Sequence, residues 1–498
     1  MSFILAIDQG TSSTKTIIFD EQGKTLHKET EPLKTQYLDG NRVEQDPEEI
    51  YQNILSSIRK CLGGFAAKNG DLSKIKTCGI SNQRETFVLW NKAGKALYNA
   101  VVWQCKRSVN VCERLKENGL AQKINQKTGL IIDPYFSGTK VIWLYENEPA
   151  VRIAINKGEA FFGTIDTWLL YKLTKGQSYM TDYTNACRTL FFDLNTLCWD
   201  QELLADFGLS PLNLPAIKPS SFHFGTTNFE GLMDHPISIS SMIGDSHAAA
   251  FGEGCFEPGS AKATLGTGSS ILMNIGNKPK ASQHGMVTTI CWSTEDRVDY
   301  ALEGIIVSAG ATIEWVKNQL GLFENTADLE KICLSLPDNG GVYIVPAFSG
   351  LGAPYWDMNR KASIEGLSFD STKSHVIRAA VESVPYQIKD IIMAMEADSA
   401  TPLTALKIDG GITSNAFVVQ FMADLLEREV THIDIADVSA LGAAYLAGLQ
   451  SKVYKNIDQL RGFRKHSTST LAGRGTARAK KAYEGWKKAI GYGEIQKQ

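Results

Sequence analysis

One carboxylate near the middle of the chain is placed to do chemistry. Asp245 lies in Ser240-Ser241-Met242-Ile243-Gly244-Asp245-Ser246-His247-Ala248-Ala249-Ala250-Phe251-Gly252, between a short apolar run and a set of small residues. That pattern reads as a strand ending at a close-packed cleft, where a carboxylate can take a proton from a hydroxyl. A turn residue or helix N-cap is the alternative use of such an Asp. A second cluster, Ser81-Asn82-Gln83-Arg84-Glu85-Thr86, puts six polar residues directly after the apolar run Ile75 to Ile80. Ligand sites in open α/β sheets sit at such strand ends, and Arg84 with Glu85 offers a donor and an acceptor to hydroxyl groups. A surface ion pair is the other reading. Trp103 and Tyr135 stand beside polar residues and can line a pocket for a small polyol, the rings covering carbon and the phenol bonding oxygen.

Two Gly/Thr turns suggest phosphate chemistry. The first follows Asp8-Gln9 and reads Gly10-Thr11-Ser12-Ser13-Thr14-Lys15; the second reads Gly266-Thr267-Gly268-Ser269. Glycine admits close backbone approach, while hydroxyls, amides and Lys15 can cradle phosphate. The first lacks the GxxxxGK[ST] spacing of a P-loop, and a plain polar hairpin turn is its alternative reading. A third stretch, Asp409-Gly410-Gly411-Ile412-Thr413-Ser414-Asn415, fits either an adenosine site or a plain turn from strand to helix.

The elements that must position these groups follow from periodicity. Phe3 to Ile7 and Thr16 to Phe19 read as strands around the first turn, with Thr25 to Glu29 returning; Ser260 to Thr264 and Ser270 to Ile275 repeat the device around the second. Two such hairpins, each opening a half of similar length, indicate a duplicated architecture with the turns facing across a cleft. Asp46 and Pro47 start an amphipathic helix burying Ile50, Ile54, Leu55, Ile58 and Leu62. Thr181 to Asn185 reads as a polar loop near the cleft. Thr404 to Ile408 reads as a strand, Thr413 or Ser414 as the cap of a helix Ala416 to Leu426, and Ala440 to Leu449 as a small-residue helix for close packing. Gly310 and Glu314 fall in a helix entered through small residues from Ser308. The tail from Arg461 to Gln498 is basic, with a helix near Thr476 to Ile490 that turns Tyr483 and Trp486 inward.

At 498 residues the chain predicts two domains, residues 1–252 and 253–498, joined by a tight hinge near 250–259. With 51 Lys and Arg against 54 Asp and Glu, charge favours neither nucleic acid nor an acidic membrane as partner. Nine scattered cysteines without CxxC spacing predict reduced thiols in a cytoplasmic protein. The first residues carry no signal pattern, and no apolar run approaches the ~20 residues that span a bilayer.

The chain resembles the FGGY carbohydrate kinases over essentially its whole length. The resemblance rests on AIDQGTSSTK, SNQRET, VVWQCKR, DPYFSGTK, TIDTWLLYKLT, TDYTNACRT, YALEG, GLGAPYWD, DGGITSN and ALGAAYLAGL. It implies an α/β fold of two duplicated actin-like, ribonuclease-H-like domains flanking a catalytic cleft, the first binding polyol and the second nucleotide. It implies that Arg84, Glu85, Tyr135, Asp245 and Ser246 bond the polyol while Trp103 covers its carbon face, with Asp245 as catalytic base. Thr11, Ser12, Ser13 and Lys15 are implied beside the ATP phosphates, Asp8 near Mg²⁺, and Thr267, Gly310, Glu314, Gly411 and Asn415 along the nucleotide. The implied reaction moves the γ-phosphoryl group of ATP to a terminal hydroxyl, glycerol first, giving glycerol 3-phosphate and ADP. The implied assembly is a homo-oligomer, dimer or tetramer.

Four positions depart from the family pattern. Ser246-His247 replaces a Gln pair, Ser270 a Phe, and Glu314 a nucleotide-side Gln. Two serines predict a roomier, more polar pocket, so a larger polyol or ketose such as erythritol, a pentitol or a xylulose-like sugar is the alternative substrate. A non-catalytic actin-like ATPase is the alternative class. His247 is predicted to pack behind Asp245.

Overall fold

The computed structural model describes residues 2–463 and 467–491. Phe3–Gln9 (β1) and Ser13–Phe19 (β2) pair antiparallel around the first Gly/Thr turn, and Thr25–Pro32 (β3) extends the meander. Pro47–Ala67 (α1) then crosses the sheet, its first turn fixed by Asp46, whose carboxylate accepts from the Glu48 and Glu49 amides. All five apolar side chains predicted for its inner face are buried, each contributing about 1.5–3 kcal/mol. Ile75–Asn82 (β4), Ser221–Thr227 (β5) and Ile237–Gly244 (β6) complete a six-stranded sheet ordered β5-β6-β4-β1-β2-β3, and Asp245–Gly252 (α2) follows β6 directly.

The second half rebuilds the same spine. Ser260–Leu265 (β7) and Ser269–Gly276 (β8) form the second hairpin; Val287–Ser293 (β9) and Val298–Ile306 (β10) follow, then Gly310–Asn318 (α3) and the long Lys373–Ser399 (α4). Ala405–Asp409 (β11) leads through a short turn to Ala416–Leu426 (α5), Val430–Ile433 (β12), Val438–Gln450 (α6), Ser467–Thr470 (β13) and Thr476–Ile490 (α7). The sheet order is β9-β10-β8-β7-β11-β12-β13. Three antiparallel strands followed by two parallel ones, β3-β2-β1-β4-β6 in one half and β10-β8-β7-β11-β12 in the other, establish the duplicated α/β architecture.

The halves are not sealed off from one another. Helix α6 belongs by sequence to the second half, yet it lies against β1, β4 and β6 and beside α2. Small residues permit this: a Cβ on Gly442 would fall 1.8 Å from the Ala248 carbonyl oxygen, and one on Gly252 2.5 Å from that of Val438. Helix α7 carries Tyr483 and Trp486 inward as predicted, and both donate to the buried Asp390. The rest of the predicted basic tail, residues 464–466 and 492–498, lies outside the described residues.

Two local expectations change. Thr181 to Asn185 is not a loop: Met180–Asp182 is a strand and Tyr183–Ala186 a helical turn, with Thr184 and Asn185 buried. Helix α5 is capped by Asn415, which accepts from the Phe417 and Val418 amides, while the Thr413 and Ser414 hydroxyls turn back to the carbonyls of Gly410 and Gly411.

Candidate active site

Asp245 is delivered by strand geometry. β6 runs parallel to β4 with Gly244 opposite Asn82, so Asp245 and the 83–85 segment leave the sheet at the same end. Gly244 is pinned by donating its amide to the Thr184 hydroxyl at 2.9 Å; that hydroxyl bonds the buried Asp182, which also accepts from Ser220. A side chain at Gly244 would collide with Arg84, a Cβ falling 2.7 Å from its Cγ. Asp245 accepts from the Ser246 amide, approaches Arg84 Nε at 3.3 Å, and keeps 38% of its side chain exposed. Beside the buried Arg84 and Glu85, this carboxylate stays open to a ligand.

Behind it lies a buried chain of alternating charge. Arg84 and Glu85 are both buried, but they do not pair with each other as a surface couple would. Glu85 sits at φ +60, which turns the two side chains apart. Arg84 meets Glu303 at 2.9 Å; Arg188 meets Glu303 at 2.7 Å and Glu85 at 2.6 Å. Burial works to raise the Glu303 carboxyl, but Arg188 and Arg84 overcome it and hold it well below the usual carboxylate range. Burial prevails at Glu85 and lifts its carboxyl despite Arg188 and Arg84. Arg188 and Glu303 were missed from sequence. Each is a lone charge inside an otherwise small or apolar run, Asn185-Ala186-Cys187-Arg188-Thr189-Leu190 and Tyr300-Ala301-Leu302-Glu303-Gly304, and that isolation is the signal that could have found them.

Aromatic groups close this wall. Trp103 and Tyr135 meet edge to face with centroids 5.6 Å apart, and the indole donates to the Thr11 hydroxyl at 2.9 Å, joining this wall to the first Gly/Thr turn. Tyr135 is anchored from below: the buried Lys140 ammonium donates to the Pro134, Tyr135 and Phe136 carbonyls at 2.6, 2.7 and 3.0 Å. Lacking a carboxylate in that shell, burial brings the Lys140 amine down to about 8. His247 packs fully buried behind Asp245, with Nε2 3.2 Å from the Thr289 hydroxyl, and burial with Arg84 nearby keeps it neutral.

The walls enclose a cavity of about 1020 Å³ between the two halves. Arg84, Glu85, Trp103, Tyr135, Asp245 and Ser246 line one side. Thr11 from the first turn and Thr267 from the second line it as well, with Lys262, Thr264 and Asp409 on its floor. Asp8, at the end of β1, is pushed up to about 6 by burial, with Asp245 and Asp437 adding to the effect against Lys15. Lys15 itself is tied to Asp437 at 2.8 Å.

The remaining residues expected along the nucleotide stand outside this cavity's lining. Ser12 is exposed; Ser13 opens β2; Gly310 donates to the Gly266 carbonyl at 3.0 Å; Glu314 faces solvent and accepts from Asn318. Gly411 has open space where a side chain would be, and Asn415 is occupied as a cap.

Residues 3–252 match the N-terminal domain of the FGGY family of carbohydrate kinases, and residues 261–451 its C-terminal domain. The chain belongs to the FGGY carbohydrate kinase family. Among individual FGGY proteins it is 44% identical over 489 residues to glycerol kinase of Desulfitobacterium hafniense, covering 98% of each chain. It is 45% identical to glycerol kinase 1 of Thermotoga maritima, covering 98% of this chain and 99% of that one. The crystal structure of Plasmodium falciparum glycerol kinase with ADP superposes with a TM-score of 0.93 at 35% identity, covering 99% and 98% of the two chains.

Proposed function

We propose that this protein transfers the γ-phosphoryl group of ATP to a terminal hydroxyl of glycerol, giving glycerol 3-phosphate and ADP. The observation that carries the reading is Asp245: a carboxylate with 38% of its side chain exposed at the cavity, beside Arg84 and Glu85, which are buried and held by remote partners. Glycerol kinases at 44% and 45% identity over 98% of the chain support the same choice.

In this reading Arg84, Glu85 and Tyr135 bond the polyol hydroxyls, Ser246 adds a contact, and the Trp103 face covers carbon. The terminal oxygen attacks the γ-phosphorus, the bond to the ADP oxygen breaks, and Asp245 takes the hydroxyl proton. Thr11, Ser12, Ser13 and Lys15 hold phosphates, Lys15 exchanging Asp437 for phosphate oxygen. Thr267, Gly310, Glu314, Gly411 and Asn415 lie along the nucleotide.

Mg²⁺ binds through one or two carboxylates together with substrate phosphates and water. Asp8, half-buried with Asp245 as a neighbouring charge, is such a donor; among the described residues no cluster of three or more ligating side chains accompanies it. When bound, the ion offsets charge on the phosphate oxygens.

We also place the domain division at 1–252 and 253–498, with α6 moving together with the first sheet on which it packs as the two halves close over the ligands to exclude water. The protein works in the cytoplasm as a homo-oligomer, a dimer or tetramer; nine free thiols agree with a reducing compartment, and no helix among the described residues is long and apolar enough to cross a membrane. A larger polyol is the second reading, favoured by Ser246 and Ser270 at the cavity wall. ADP formation across glycerol, erythritol, pentitols and xylulose decides between them. A site built to bond hydroxyls discriminates by ~10⁴-fold or more, so glycerol should stand far above the rest, and activity confined to the longer polyols would overturn the choice of glycerol.

A further inference from the structure

Glu303 is the one member of the buried charge chain that comes from the second half of the molecule. It is fully buried, lies outside the cavity lining, and binds two guanidinium groups from the first half, Arg84 at 2.9 Å and Arg188 at 2.7 Å. Arg84 faces the polyol directly. Arg188 orients Glu85 at 2.6 Å and lies beneath the rings of Tyr135 and Phe136, 5.9 and 5.1 Å from their centroids. Glu303 therefore sets the positions of three polyol-binding groups at once.

The same residue is wired to the nucleotide side. β10 continues past Glu303 through Val307 and Ser308 to Ala309, Gly310 and Ala311, whose amides donate to the carbonyls of Thr267, Gly266 and Thr267 at 2.9, 3.0 and 3.0 Å. The returning strand β8 begins right after that turn, and its Ser270 hydroxyl donates to Glu303 at 3.1 Å. Any shift of the Gly266–Gly268 turn would therefore reach Glu303 along its own strand and through a direct hydrogen bond.

We propose that Glu303 is a positioning residue that couples polyol binding to nucleotide binding across the cleft, so that each ligand tightens the site of the other. The coupling is reciprocal, because both ligands bias one arrangement of the Glu303, Arg84 and Arg188 charges. This rests on the polyol kinase reading above.

The test is calorimetric titration of the β,γ-imido analogue of ATP with Mg²⁺, with and without saturating glycerol, on the wild-type protein and on Glu303→Gln. Glycerol is expected to tighten nucleotide binding by ~10-fold in the wild type, within the range usual for coupled sites. In Glu303→Gln the ratio should fall to within ~2-fold of unity, with nucleotide affinity in the absence of glycerol changed by no more than ~2-fold. A wild-type ratio retained in Glu303→Gln, or a wild-type ratio of one, overturns the coupling. Ser270→Ala, which removes one hydrogen bond and keeps the ion pairs, serves should Glu303→Gln fail to fold; its ratio should drop ~3-fold, and an unchanged ratio overturns the proposal. ADP formation by the wild-type protein with glycerol is measured alongside. Its absence removes the kinase reading and this inference together, whereas its presence with unchanged coupling removes this inference alone.

Discussion

The two walls of the cleft are built from different materials. The proposed polyol wall is made of side chains, Arg84, Glu85, Arg188, Glu303, Trp103 and Tyr135, the four charged ones buried and each fixed by a partner far away in sequence. The proposed nucleotide wall is made mainly of backbone: the turns at Gly10–Ser12 and Gly266–Gly268, the close approach of Gly310 to Gly266, and the open face of Gly411. A wall of paired charges is rigid and discriminating, because every unmatched hydroxyl leaves a buried group without a partner. A backbone wall accepts a flat base with little dependence on side chains, and phosphate with Lys15 as its one charged side chain. Substitutions should therefore cost much on the first wall and little on the second.

The largest effect on stability is expected at Arg188→Met, which strands Glu85 and Glu303 as buried carboxylates. Breaking such pairs costs about 3–5 kcal/mol, readable as a drop in the urea midpoint; a loss below 1 kcal/mol would mean that the charges relax into solvent and the wall is not rigid. Lys140 sharpens the same point through pH. Its amine titrates near 8 when folded against an ordinary 10.5, so between these values the unfolded chain binds the extra proton and stability rises with pH. The wild-type minus Lys140→Met difference in unfolding free energy should climb by up to about 3 kcal/mol from pH 8 to 10.5; a flat difference would put Lys140 in contact with water.

Tyr135→Phe removes one hydroxyl contact and keeps the ring against Trp103. One neutral hydrogen bond is about 0.5–1.5 kcal/mol, so the polyol KM should rise ~2–10-fold with the ATP KM unchanged. On the other wall, Glu314→Ala alters an exposed side chain whose recorded contact is Asn318. Stability should stay within about 0.5 kcal/mol and the ATP KM within ~2-fold. A tenfold rise would show that side chains govern nucleotide binding after all, and the contrast between the walls would fail.

The same contrast explains what the sequence disclosed. The hairpins, the amphipathic α1 and the inward Trp486 were legible because each follows from local periodicity and turn chemistry. That Asp245, Arg84 and Tyr135 would meet at one cavity was legible because each stands at the end of an apolar run. Arg188 and Glu303 were not, since their partners lie 103 and more residues away and an isolated charge in an apolar run carries no hint of what neutralises it. Arg84 and Glu85 look like a couple in sequence, and the positive φ at Glu85 separates them. The cap of α5 moved by one or two residues because Asn415 competes with Thr413 and Ser414 for the same amides. Helix α6 crosses to the first sheet through close contacts at Gly442 and Gly252, and nothing in a small-residue helix says which sheet will receive it.

The central claim is that Asp245 is the base for phosphoryl transfer to a polyol. Asp245→Asn keeps the shape of the side chain and removes its capacity to accept a proton. Steady-state ADP formation with saturating glycerol and ATP should fall by at least ~10²-fold in kcat, while calorimetric binding of glycerol changes by less than ~10-fold. A kcat within a few-fold of wild type would contradict the account, for it would leave the open carboxylate at the end of β6 without a part in the chemistry.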